Sequence, residues 1–422
     1  MMRNFHYKLG INSKISCLCL VYFLVALTSM TARATSDSFL LKHFQPADIS
    51  LVLMGAAAFS IILAILSTFL CVRYQAYGAM QVVSLILVLA LFLIIAFVFL
   101  HKFKITFVVA YLICEVVVIL PTVLFWAMSS GVLNPSESKK WFGLIGASGT
   151  CGCILAGYIV SLASKSPMVN ELLLGIVALL LISINWILVK RSKLFKISEY
   201  LSSEKKIQRT SLYQKLRILI SGRQAVLMTL LVVFSAMVLS IIDINFKFEV
   251  RKDEEDLYDF FGLFYTYTSV AQLILQLFVV RMVLTRGGVL AAISILPSLL
   301  ILSSIGAILA NSQDALYIGK FITQTFFFTI EFFGLQMLFL AVSRKQRGQM
   351  ISAVDGLTRP ATIAVISLLI TYTLPFWQSG LESEIVIRLN LVIIFLCCLW
   401  LCISLLNYRQ YLSSLSMMLG LK

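Results

Sequence analysis

Charge is what this chain has least of. Only 13% of its 422 residues are Asp, Glu, Lys or Arg, against roughly a quarter in soluble domains, and the shortfall excludes an ordinary water-soluble fold. Histidine is almost missing: His6, His43 and His101 are the three, all at loops or termini. No nucleophile and base group together, so no enzyme is expected. The nine cysteines (Cys17, Cys19, Cys71, Cys114, Cys151, Cys153, Cys397, Cys398 and Cys402) lie in apolar runs, where a thiol behaves as a small hydrophobe. Cys151 and Cys153 would point about 200° apart on a helix and make a poor metal pair. Neither a disulfide framework, nor a metal, nor a cofactor is expected. A P-loop is missing too. Gly143, Gly146, Gly149 and Gly152 recur every third residue, but no strand precedes them and no Lys-Ser or Lys-Thr follows. Close packing of helices explains such a stripe better than a phosphate cradle does.

What the chain has in abundance is apolar sequence, 60% of its residues, at a mean hydropathy of +0.98. Runs of about 20 apolar residues, enough to cross roughly 30 Å of hydrocarbon, fall near 15–34, 49–71, 79–100, 105–129, 143–163 and 170–189. Six more fall near 224–246, 260–283, 288–310, 315–342, 361–377 and 385–408. The first run follows Arg3, Lys8 and Lys14 and ends in Ala32-Arg33-Ala34, which can also be read as a signal-peptide cleavage site. It is taken as a span because only then is the count even.

One long polar stretch interrupts the pattern. Residues 190–223 carry ten Lys and Arg against Glu199 and Glu204, so by the positive-inside rule the stretch stays cytoplasmic. With both termini on that side, 24 of the 34 basic residues fall inside. The net charge of +15 therefore reflects topology, and no nucleic-acid partner is expected. The expected domains are a six-helix half at 1–189, a basic linker at 190–223 and a second six-helix half at 224–422. The expected setting is the inner membrane of a bacterium, with the lipid bilayer as partner and a monomer as the working unit. An all-α, twelve-helix protein in two six-helix halves resembles the major facilitator superfamily, whose halves are repeats around a midplane site. The signature usual between its second and third spans is absent from Val72-Arg73-Tyr74-Gln75-Ala76-Tyr77-Gly78.

An ionisable group at the centre of a span costs about 2.5–3.5 kcal/mol on insertion scales. Each such residue is therefore a candidate for function. They are Arg33 and Asp37 in the first span, Glu115 in the fourth, Asp243 and Lys247 in the seventh, and Lys320 and Glu331 in the tenth. Those four spans line the central cavity of a facilitator. Arg33 with Asp37, and Asp243 with Lys247, are four residues apart and share a helix face. Lys320 and Glu331, about 16 Å apart along one helix, must find partners elsewhere. The plainer reading is that Arg33, Asp37 and Lys247, near span ends, snorkel to headgroups, and that Glu115 and Asp243 serve structural ion pairs. The aromatics Phe326, Phe327, Phe328, Phe332 and Phe333 face lipid or neighbouring helices, or else stack on a base.

Several short sequences carry a family resemblance: Thr31 to Leu40, Leu124-Phe-Trp126, Glu137 to Gly146, Ile242 to Lys247, Phe260 to Phe264 and Ile351 to Arg359. Together they resemble the ATP/ADP translocases of plastids and intracellular bacteria. The resemblance implies a secondary transporter exchanging nucleotides by alternating access. By position it aligns Glu115, Asp243 and Lys247 with that family's buried charges. The family's first-span Arg-Asp-Thr-Lys-Asp reads here Arg33-Ala34-Thr35-Ser36-Asp37, so one lysine is replaced by serine. Acid then outnumbers base among the candidates, and a related anionic metabolite remains open beside ATP and ADP. Two alternatives stand: a proton-coupled facilitator using Glu115 or Glu331, and a receptor that keeps the fold without transport.

Overall fold

The structure, a computed structural model, describes residues 2–100, 104–133, 135–166, 168–192, 219–220, 222–310, 314–339, 350–351, 353–378 and 382–418. Most of the basic segment 190–223, with His101, lies outside them. Among the described residues everything regular is helical. The reason is solvent. In hydrocarbon a backbone N–H or C=O has no water to bond, and a helix satisfies every such group within itself.

Among the described residues twelve helices of seven residues or more carry the fold. They are α1 (Met2–His43), α2 (Pro46–Leu100), α3 (Lys104–Val132), α4 (Pro135–Ala163), α5 (Val169–Lys190) and α6 (Arg223–Asp253). They continue as α7 (Leu257–Ile274), α8 (Gly288–Ala310), α9 (Asp314–Phe326), α10 (Phe332–Leu338), α11 (Arg359–Gln378) and α12 (Glu382–Met418). Nine helical runs among the described residues are long and apolar enough to cross a bilayer, and one of them, Leu257–Ala310, is long enough for two crossings. Shorter apolar helices at Leu51–Ser67 and Arg359–Thr373 occupy the two remaining expected spans. The fold is an all-α polytopic membrane protein.

Two boundaries differ from expectation. The turn expected over 72–78 is helical, so α2 continues unbroken for 55 residues. That stretch has no proline, and its one glycine, Gly78, costs only about 1 kcal/mol in a helix, too little to stop it. Between α7 and α8 the chain passes through π-helical turns at Leu275–Val279 and Val283–Gly287. The second π turn ends on Gly288, at φ +67°, a backbone that only glycine adopts without cost.

The described chain divides into two compact units. The first comprises Met1–Phe44, Ile62–Gln208 and Glu254–Leu273; the second comprises Gln45–Ile61, Arg209–Asp253 and Ile274–Lys422. In the first unit α1 is central, packed on α3, α4 and α5. The second half of the glycine stripe, Gly149 and Gly152, brings α4 close, whereas Gly143 and Gly146 have open space where a Cβ would stand. A Cβ on Gly149 would collide with the Tyr22 ring, and one on Gly152 with the Phe23 carbonyl. In the second unit α12 packs on α6 and α8 around the buried Trp400. Asn407 of α12 donates to the Leu227 carbonyl of α6 at 2.7 Å. Leu85, Ile86, Leu89 and Leu93 of α2 are all more than half exposed, the inside-out arrangement of a helix facing lipid.

Candidate functional site

In the first unit the charged residues of α1 and α3 meet. An Arg33 guanidinium nitrogen donates to Glu115 Oε1 at 2.8 Å, with 40% of the arginine side chain exposed and 9% of the glutamate. One face of Arg33 is thus open while the other is neutralised. Asp37, one turn further along α1, is 1% exposed and accepts a hydrogen bond from the Tyr265 hydroxyl of α7 at 2.6 Å. Arg33 thus bonds Glu115 of a neighbouring helix, while Asp37, one turn along its own helix, lies near enough for its charge to be felt. Tyr265 was invisible to sequence reasoning, since a tyrosine in an apolar run carries no periodic signal.

In the second unit Asp243 of α6 gathers two lysines. Lys247 Nζ, one turn along the same helix, lies 3.1 Å from Asp243 Oδ2. Lys320 of α9 donates to Asp243 Oδ1. Two ammonium groups on one carboxylate give this cluster a formal charge of +1. The Lys247 side chain is only 3% exposed, so it is held by Asp243 and does not snorkel. The Lys320 ammonium also sits 5.9 Å from the centroid of the Phe246 ring, within range of a cation–π attraction. Here the four-residue spacing and the need of Lys320 for a partner on another helix both appear in the structure.

Glu331 stands apart from these clusters. It ends a π-helical turn, Phe327–Glu331, is buried, and its Oε2 atom has no hydrogen-bond partner among the described residues. The guanidinium carbon of Arg359 lies 4.8 Å from the centroid of the Phe327 ring in the preceding turn. Arg359 had entered the sequence reading only as the end of a motif. Of the neighbouring aromatics, Phe328, Phe332 and Phe333 are exposed and face away from the packed interior. Among the described residues no cluster of His, Cys, Asp and Glu could hold a metal ion.

A lone cation on an apolar helix is costly. A cation already held by a carboxylate is tolerated, and an incoming anion can exchange with that carboxylate. Both units carry such an arrangement. The family model of the TLC ATP/ADP transporter matches residues 48–347. The chain belongs to this family. The match contains Glu115, Asp243, Lys247, Lys320 and Glu331, while Arg33 and Asp37 precede it.

Solved structures agree on the architecture. The crystal structure of the nucleoside transporter NupG is 16% identical, with a TM-score of 0.67, covering 92% of this chain and 98% of NupG. A peptide transporter POT in complex with alafosfalin is 13% identical, with a TM-score of 0.67, covering 93% of this chain and 95% of its own. At such identities the likeness establishes the fold, that of major-facilitator-type transporters. No curated protein matches the chain. This TLC-family chain is therefore an integral, multi-pass secondary transporter.

Proposed function

We propose that this TLC-family transporter moves nucleotides, or closely related phosphorylated anions, by alternating access, and that it exchanges one such anion for another. The cluster of Asp243, Lys247 and Lys320 supports this most directly. Two cations share one carboxylate, and that is the charge balance an anionic group can enter by displacing Asp243 from one lysine. In the other unit, taken by itself, the Arg33 guanidinium presents a planar fork suited to bidentate phosphate binding, and Glu115 neutralises it.

Asp37, through its bond to Tyr265, positions α7 against α1 and takes no phosphate. Lys247 and Lys320 suit a phosphate-type anion once Asp243 moves aside. They do not by themselves select ATP over ADP or another nucleotide. The residues act in binding and passage, with no catalytic step. The working unit is a monomer in the bacterial cytoplasmic membrane, both termini inside, with no nucleic-acid partner. The two six-helix halves of the sequence, 1–189 and 224–422, would be the repeats that such a cycle uses.

The decisive experiment measures uptake and counterflow of labelled ATP, ADP and a panel of other nucleotides in proteoliposomes containing the purified chain. Saturable exchange of at least one nucleotide is expected. If nothing on the panel moves, the nucleotide assignment fails.

A further inference from the structure

Lys14, Lys190 and Arg191 gather where α5 ends beside α1. Lys190 closes α5, and Arg191, its exposed C-cap, follows directly. Arg191 stands near enough to α1 for its charge to act on Cys17. Lys14 lies three residues before Cys17, on the same helix face. All three cations belong to the first unit. No acid on these two helices balances them: α1 carries none between Lys14 and Arg33, and Glu171, the single acid of α5, stands at the opposite end of that helix. The carbonyl end of the α5 dipole favours cations here but neutralises only a fraction of one charge.

Beneath the charges the surface is apolar and open. Trp186 is 61% exposed, and the Lys190 ammonium sits 4.5 Å from the centroid of its ring, within range of a cation–π attraction. Leu179, Ile182, Trp186 and Val189 are all exposed and recur every three or four residues, so they form one stripe along α5 that ends under Lys190. Leu20 of α1, one turn past Cys17, is exposed as well. An exposed tryptophan at the end of an apolar stripe marks the boundary between membrane and water. This end of α5 leads into the basic segment 190–223, which the positive-inside rule assigns to the cytoplasm.

We propose that this end of the α1–α5 seam is a binding site for an acidic phospholipid of the phosphatidylglycerol or cardiolipin kind. Lys14, Lys190 and Arg191 take the phosphate oxygens, Arg191 through the parallel N–H donors of its fork. The acyl chains run down the stripe from Val189 to Leu179. Two features select a lipid over a free anion: the cations sit at headgroup depth, and an apolar track starts directly beneath them. Basic pockets between spans on the cytoplasmic side attract anionic headgroups in this way. The bound lipid joins α1, the helix that carries Arg33, to α5 from outside the bundle. Nothing in this assignment rests on the nucleotide reading.

The test takes the purified full chain in a neutral detergent and reads the change in melting temperature on adding cardiolipin, phosphatidylcholine or inorganic phosphate. Cardiolipin should raise the melting temperature of the wild type by several degrees, because a ligand of the native state stabilises it, and the other two should leave it in place. Lys190→Gln combined with Arg191→Gln should lose at least half of that shift, measured from the variant's own melting temperature. Arg281→Gln combined with Arg286→Gln removes two exposed cations of the second unit and should keep the full shift. The proposal is overturned by a wild type that cardiolipin does not stabilise, by an equal shift with phosphate, which makes the site one for a free anion, or by an equal loss in both double variants, which makes the attraction diffuse. A full shift in the Lys190 and Arg191 variant overturns it too. A measurement on the wild type alone guards against a variant that fails to fold: cardiolipin with photoreactive acyl chains should label the α5 stripe, and labelling confined to other spans overturns the assignment.

Discussion

Arg33 and Asp243 are charged residues of two adjacent-turn pairs, yet they behave differently. Asp243 keeps the lysine one turn away on its own helix and adds Lys320 from α9, whereas Arg33 bonds Glu115 of α3. A pairing within one helix can thus stand beside one to a neighbouring helix, as it does at Asp243. Removing a cation should therefore cost solute binding. Lys320→Ala is expected to lower nucleotide uptake about tenfold or more, since a hydrogen bond to a charged group contributes roughly 1.5–3 kcal/mol and about 1.4 kcal/mol is tenfold. Arg33→Lys should weaken uptake without unfolding the protein, because the fork is lost and the charge is kept. Equal uptake by wild type and both variants would remove these residues from the site. Asp243→Asn is expected to lower the melting temperature. The loss should fall short of the roughly 3–5 kcal/mol of a fully buried pair, since 29% of the Asp243 side chain is exposed.

At the scale of elements, the close crossing of α4 and α7 in the first unit depends on two glycines. A Cβ on Gly157 would collide with the Gly262 carbonyl and Thr266, and a Cβ on Gly262 with the backbone of Ser161. The crossing is tied by Ser161 donating to Asp259, by Tyr258 donating to Asn170 of α5, and by Ser38 of α1 donating to the Leu257 carbonyl at 3.1 Å. Gly157→Leu should destabilise the protein by about 1–3 kcal/mol through overpacking, read as a lower melting temperature in detergent. Gly175, which has open space around its Cβ position, should accept alanine without loss. Of the α4 glycine stripe read in the sequence as a packing face, Gly149 and Gly152 pack closely and Gly143 and Gly146 do not. The partners Tyr22 and Phe23 were not legible there, because period alone names a face and says nothing about what lies against it. The π turns were equally hidden: one extra residue in a turn leaves no trace in an apolar run that is hydrophobic all round.

At the scale of the molecule, two expectations extend beyond the described residues. Single cysteines placed in the segment 190–223 of a cysteine-free background should react with impermeant thiol reagents only from the cytoplasmic side, given its ten basic residues. Reaction from the outside would reverse the topology. Nucleotides should also raise the melting temperature of the purified chain, since a ligand at a hundred times its dissociation constant adds about 2.7 kcal/mol to the native state. Lys320→Ala should reduce that shift.

Membrane embedding, the helical class and the twelve apolar segments followed from the sequence alone, because hydropathy and span length are properties summed along a chain and need no neighbours. The same holds for Asp243 beside Lys247, whose contact lies within one helix. Only the tertiary structure decided that Arg33 meets Glu115, that Tyr265 holds Asp37, that Lys320 joins Asp243, and that Glu331 lies buried in a π turn near Arg359. Each of these depends on which helix faces which. In a chain whose helices are apolar on every side, that choice rests on glycine contacts and a few buried hydrogen bonds, and the hydrophobic pattern does not encode it.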